Sequence, residues 1–75
     1  MKAMVIIPDI PYSVLLRRCD ITSPEYLLLK NGVHENHLEQ VHVLCSSEQA
    51  DFLIEYIGRI AQDLLPAVRK IDIPL

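Results

Sequence analysis

Apolar and polar residues alternate most regularly between residues 46 and 64. Ala50, Leu53, Ile54, Ile57, Ile60, Ala61 and Leu64 recur at helical spacing, which sets them on one face of an α-helix. Ser46 followed by Gln49 has the spacing of a capping box, so the helix is expected to begin there. Pro66 lacks the amide proton a continuing helix needs and pushes Leu65 out of helical geometry. The flanks follow a shorter period. Residues 40–45 set Val41, Val43 and Cys45 on one side and His42 and Leu44 on the other. Residues 69–74 alternate Ile71 and Ile73 with Lys70, Asp72 and Pro74. Both patterns predict strands. Pro74 cannot donate to a sheet, so the second strand ends there or lies at an edge.

In the N-terminal half, residues 2–7 (Lys-Ala-Met-Val-Ile-Ile) are apolar on both sides after the first residue and predict a central strand. Pro8-Asp9-Ile10-Pro11 reads as a turn. Residues 12–18 leave room for a short helix with Pro11 in its first turn and Val14, Leu15 and Arg18 at helical spacing. Residues 20–24 read as loop. Residues 25–30 (Glu-Tyr-Leu-Leu-Leu-Lys) read as a strand, closed by Asn31-Gly32, a strong hairpin signal. Residues 33–38 are too polar for a strand and are expected to form an excursion of that hairpin. The order β-α-β-β-α-β predicts an α+β, ferredoxin-like sandwich over residues 1–75 as a single domain. It has a four-stranded antiparallel sheet with helices on one face, the first helix short. The other face then carries apolar side chains under no helix, and another subunit is expected to cover it.

Composition sharpens that expectation. The chain has 75 residues, 51% of them hydrophobic. A domain of this size buries only about 60–65% of its unfolded surface, so apolar residues are left outside and a homo-oligomer is expected. The net charge is −3 and the basic residues pair only as Arg17-Arg18 and Arg69-Lys70. Such pairs are too small to track a phosphate backbone, which argues against nucleic acid. No apolar run approaches the ~20 residues of a membrane span. Cys19 and Cys45 are far apart, and Pro8 cuts the N-terminal apolar run short of a signal-peptide core. Reduced thiols and a cytoplasmic location are expected.

Residues 1–8, a hairpin near residues 28–43, the stretch VHVLCSSEQADFLIEYIGRIAQ and the closing IDIP together resemble a shortened member of the PII-like and CutA-like superfamily. The resemblance lies in element order and hydrophobicity. It implies the ferredoxin-like fold, usually as a trimer. It also implies a regulatory or ligand-sensing role by binding at a subunit interface, in which a ligand or ion orders residues 31–38 for a protein partner. On its CutA-like side it implies divalent-metal binding or tolerance. A third function class is a structural protein–protein interaction module that docks a different chain on the open sheet face. The chain departs from the family in its short first helix, in the reduction of the long loop to about residues 31–38, and in having only Gly32 and Gly58, hence no Gly-rich phosphate turn. No family residue role is carried over.

Five side chains form the best candidate for chemistry. His34, His37 and His42, with Glu35 and Glu39, are ligand types that borderline divalent metals accept. The plainer reading is a solvated polar turn, since the spacing matches no zinc motif. Cys45 precedes a helix N-terminus, where the dipole favours a thiolate, but its face is shared with Val41 and Val43 and predicts a core thiol. Cys19 sits beside Arg17-Arg18 and is open to the same two readings. Asp9, Tyr12 and the arginine pair either line a small anion cleft or form an ordinary surface turn. Phe52 and Tyr56, four residues apart beside the apolar stripe, are expected to make an interface with another subunit. Glu55 and Arg59 suit a solvated helix face. No Ser-His-Asp order, carboxylate pair in an apolar setting or phosphate cradle is written in the chain, and an enzyme is not expected.

Overall fold

The computed structural model describes residues 1–33 and 40–74. Strand β1 (Lys2–Ile7) is the centre of a three-stranded antiparallel sheet, flanked by β2 (Val41–Ser46) and β3 (Arg69–Ile73). Its central place follows from its composition: Ala3, Val5 and Ile7 are fully buried on one side, and Met4 and Ile6 are half-buried on the other. The register pairs Val5 with Val43 and Ala3 with Cys45 on the inner face. Because β2 and β3 are both antiparallel to β1, they run parallel to each other. The chain between them is α3 (Ser47–Ile60) and a 3-10 helix (Gln62–Ala67).

Helix α3 begins as its residues require. Ser46 Oγ accepts the Gln49 amide proton at 3.1 Å, and Gln49 Oε1 accepts that of Ser46 at 3.1 Å, which closes the capping box. Ala50, Leu53 and Ile57 are buried in the core that the sheet shares, and Tyr56 is buried as well. The α-helix stops at Ile60, four residues short of the sequence expectation. Ala61 leaves helical geometry at φ −153°, ψ 63°, and the tighter turn that follows holds Pro66. A 3-10 helix is the short form in which a chain approaching a proline still satisfies its backbone.

Helix α1 (Tyr12–Arg18) forms where expected, with Leu15 in the core and Arg17 and Arg18 at its C-terminal end, where the dipole favours positive charge. The turn before it holds Asp9 at φ 61°, a left-handed conformation that aspartate tolerates better than most residues. The expected strand at residues 25–30 is instead helix α2 (Pro24–Gly32). Ser23 caps it by accepting the Tyr26 amide proton at 3.1 Å, Pro24 occupies its first turn, and Glu25 and Lys30 sit at the ends that suit their charges. Asn31-Gly32 closes this helix and makes no hairpin. The sheet therefore has three strands among the described residues, and the expected strand at residues 25–30 is corrected to this helix. Beside β2, where a fourth strand was expected, the described pairing is a single antiparallel bridge from Val33 to Val43.

Gly32 has a packing reason. A Cβ there would stand 3.0 Å from Val43 Cγ1 and 3.4 Å from the Leu44 carbonyl oxygen, so the end of α2 approaches β2 too closely for a side chain. The core lies between the inner sheet face and the helices, with Leu15, Leu29, Leu53 and Ile57 facing Val5, Ile7, Val41 and Val43. No helix among the described residues is long and apolar enough to cross a membrane.

Candidate interaction surfaces

The sheet's second face is built from the alternate residues of each strand. Register places Met4 between Leu44 and Ile71, and Ile6 between His42 and Arg69. Lys2 lies between Ser46 and Ile73. Leu44 is 39% exposed and Ile71 49%. Strand β3 is therefore inverted relative to its neighbours. Its apolar residues face away from the helices, and its Lys70 and Asp72 lie on the helix side opposite Val5 and Ala3. The polar half is held there by bonds. Lys70 Nζ stands 2.9 Å from Asp51 Oδ1 on α3 and 3.8 Å from Asp72 Oδ1, and Ser47 Oγ bonds Asp72 at 3.2 Å. The hydrogen bond to Asp51 raises the Lys70 pKa above its ordinary value, against some burial. The alternation expected of residues 69–74 is present in β3, and the helix side of the strand is occupied by this ion-paired network.

The open face also has a sign. Its strand residues are Lys2, Met4, Ile6, His42, Leu44, Ser46, Arg69, Ile71 and Ile73, so Lys2 and Arg69 are its permanent charges and both are positive. They bracket the central Met4 row from opposite ends of the sheet. The protein as a whole is net negative.

A second apolar concavity lies between α2 and the first turns of α3. A cleft of about 280 Å³ is lined by Pro24, Glu25, Leu28, Gln49 and Phe52. Phe52 is 65% exposed, and Leu27 stands exposed on the same helix pair. Its expected companion does not join it. Tyr56 is 5% exposed and turned inward, where its hydroxyl accepts the Asp20 amide proton at 2.8 Å and lies 3.3 Å from Ser23 Oγ. The proposed interface pair is corrected on this point: Tyr56 ties α3 to the connection between α1 and α2. Arg59 covers the Tyr56 ring at 5.5 Å.

The remaining candidates divide as follows. His42 is 8% exposed and projects to the open face, as its alternation with Val41 and Val43 predicts. His34, His37, Glu35 and Glu39 lie outside the described residues. Among the described residues no three His, Cys, Asp or Glu side chains gather to hold a metal ion. Cys45 is buried, and burial pushes its thiol pKa up although Lys2 and Lys70 pull it down. Burial also raises the Cys19 thiol, against a hydrogen bond with Tyr56 that lowers it; its Sγ lies 3.4 Å from the Leu15 carbonyl oxygen. Neither thiol has the depressed pKa of an activated nucleophile. Of the proposed anion cleft, Arg18 is engaged by Asp63 at 3.1 Å, and burial raises the Tyr12 hydroxyl pKa.

Sequence reasoning missed the groove because it missed α2. The signal was present in Ser23-Pro24-Glu25, a cap, a first-turn proline and a first-turn acid in sequence. No known protein family, curated protein or solved structure matches the chain.

Proposed function

We propose that the chain is a small binding module that acts without catalysis and docks a protein partner on its open sheet face. The supporting observation is the inversion of β3. Ile71 and Ile73 lie on the face no described helix covers, while Lys70 and Asp72 are held on the helix side by Asp51 and Ser47. An apolar face maintained by a polar network behind it has the character of an interaction site. Its charge defines the occupant: an amphipathic segment with an apolar centre and carboxylate flanks, which would meet Met4, Leu44 and Ile71 between Lys2 and Arg69.

The fold supports a finer reading. Parallel β2 and β3, joined through α3 and separated by antiparallel β1, match one split βαβ half of a ferredoxin-like sandwich. In that reading α2 replaces the remaining strand. The PII-like resemblance would make the docking event regulatory.

Mapping by methyl and amide NMR with two probes tests this reading: an anilinonaphthalene sulfonate, which joins an apolar body to an anion, and an acidic amphipathic model peptide. Shifts are expected at Met4, Ile6, Leu44 and Ile71, with loss of binding in Leu44→Lys and unchanged far-UV circular dichroism. Shifts centred on Leu27, Leu28 and Phe52, or none at all, would overturn the reading.

A further inference from the structure

We infer that two copies of this chain pair antiparallel through β3, joining their three-stranded sheets across a two-fold axis through Ile71. Strand β3 is an edge: β1 lies on one side of it, and no described strand lies on the other. A two-fold that pairs a strand with itself in antiparallel fashion stands normal to the sheet. It therefore keeps the helix layers of both copies on one side and sets residues of the same face opposite each other. That geometry restricts the register to centres on Lys70, Ile71 or Asp72. Centring on Lys70 places two ammonium groups opposite each other, and centring on Asp72 places two carboxylates there. Centring on Ile71 sets Ile71 against its copy and Lys70 against the Asp72 of the second copy, twice by symmetry. Arg69 then lies opposite Ile73.

Charged residues on an edge ordinarily discourage pairing. The run Arg-Lys-Ile-Asp-Ile discourages self-pairing in two registers and favours it in the third. The groups are already positioned. Lys70 Nζ and Asp72 Oδ1 lie 3.8 Å apart, with Asp51 bonded behind Lys70, so each copy presents an ordered cation and anion side by side. The half-exposed Ile71 packs sideways against its own copy and gives up part of its water contact there. The joined sheet also extends the row Leu44, Met4, Ile71 across the axis into a continuous apolar face.

This inference goes beyond the docking reading and stands apart from it, because Lys70 and Asp72 lie on the helix side of the sheet and Leu44 lies far from the edge. The test is sedimentation equilibrium on the full chain and on two charge variants. Wild type is expected to dimerise. Lys70→Asp sets two carboxylates opposite each other at both crossings, and Asp72→Lys sets two ammonium groups there, so each variant alone should bind itself roughly tenfold more weakly or worse. Mixed together, the two variants restore opposite charges at both crossings and should form a heterodimer, seen by native mass spectrometry. Far-UV circular dichroism of each variant checks that it folds. A wild-type chain that stays monomeric at high micromolar concentration overturns the inference. So does a wild-type dimer whose strength neither variant changes, or a mixture that does not pair. Leu44→Lys, which probes the docking face, is expected to leave the dimer intact.

Discussion

At the scale of single residues, several side chains hold the molecule through one bond or one angle, and each gives a measurable consequence. The Tyr56 hydroxyl is the acceptor for the Asp20 amide at the junction of α1 and α2. Tyr56→Phe keeps the ring and removes that acceptor. A loss of about 1 kcal/mol is expected, together with faster hydrogen exchange at the Asp20 amide. Asp9 holds φ 61° in the turn that redirects the chain after β1. A β-branched side chain is far less tolerant of that conformation, so Asp9→Val should cost about 1–2 kcal/mol in urea unfolding. The thiols set a pH limit. Burial raises the pKa of Cys19 and Cys45 above the ordinary range of a cysteine thiol. A group whose folded pKa is raised contributes stability below its unfolded pKa and loses it as pH rises toward the folded one. Stability should therefore fall above about pH 8.5, and a Cys19→Ala, Cys45→Ala double variant should show a shallower fall in its urea midpoint.

At the scale of elements, the two glycines predict opposite outcomes for the same substitution. Gly58 lies inside α3, where a Cβ would meet only the Leu65 side chain at 3.4 Å, an ordinary contact. Gly58→Ala should raise stability by about 0.5–1 kcal/mol through helix propensity alone. Gly32 ends α2 with Val43 Cγ1 at 3.0 Å from the added carbon, and Val43 is fully buried and cannot retreat. Gly32→Ala should lower stability by about 1 kcal/mol, the overpacking outweighing the gain in propensity. Thermal unfolding of the pair separates the two effects. The same two elements show what could be read in the chain beforehand. Helix α3 was legible because period, cap and breaker all agreed. Helix α2 was not, because Tyr-Leu-Leu-Leu-Lys carries no clear period and Asn-Gly is a stronger cue for a hairpin than for a helix end. Only Leu29 of that helix is fully buried. Tertiary packing of its C-terminal end against β2, which no local pattern encodes, decides the outcome. Strand β3 was legible as a strand, but the face its isoleucines take was not, since an Ile-x-Ile pattern does not say which side is the core. In the fold, Lys70 meets Asp51 on the helix side, a contact across nineteen residues of sequence that no local pattern encodes.

At the scale of the whole molecule, size governs how self-association would be seen. A chain of 75 residues has a small unfolding entropy, so a modest free energy moves its midpoint far. Pairing that binds only the folded chain adds stability that grows with concentration. Raising the free protomer from about its dissociation constant to ten times that value adds about 1 kcal/mol, equivalent to a rise of roughly 4–8 °C for a domain of this size. Scanning wild type over a hundredfold range of concentration should therefore show a midpoint that climbs by several degrees. Lys70→Asp and Asp72→Lys scanned separately should show midpoints that climb much less, because each has lost the charge pairing of the register that joins the sheets. Their equimolar mixture should climb again. That return cannot come from repair of either chain's own network, since each chain keeps its variant residue. It isolates pairing between copies from the local loss of the Lys70 bond to Asp51, which would lower every scan of Lys70→Asp by the same amount at all concentrations.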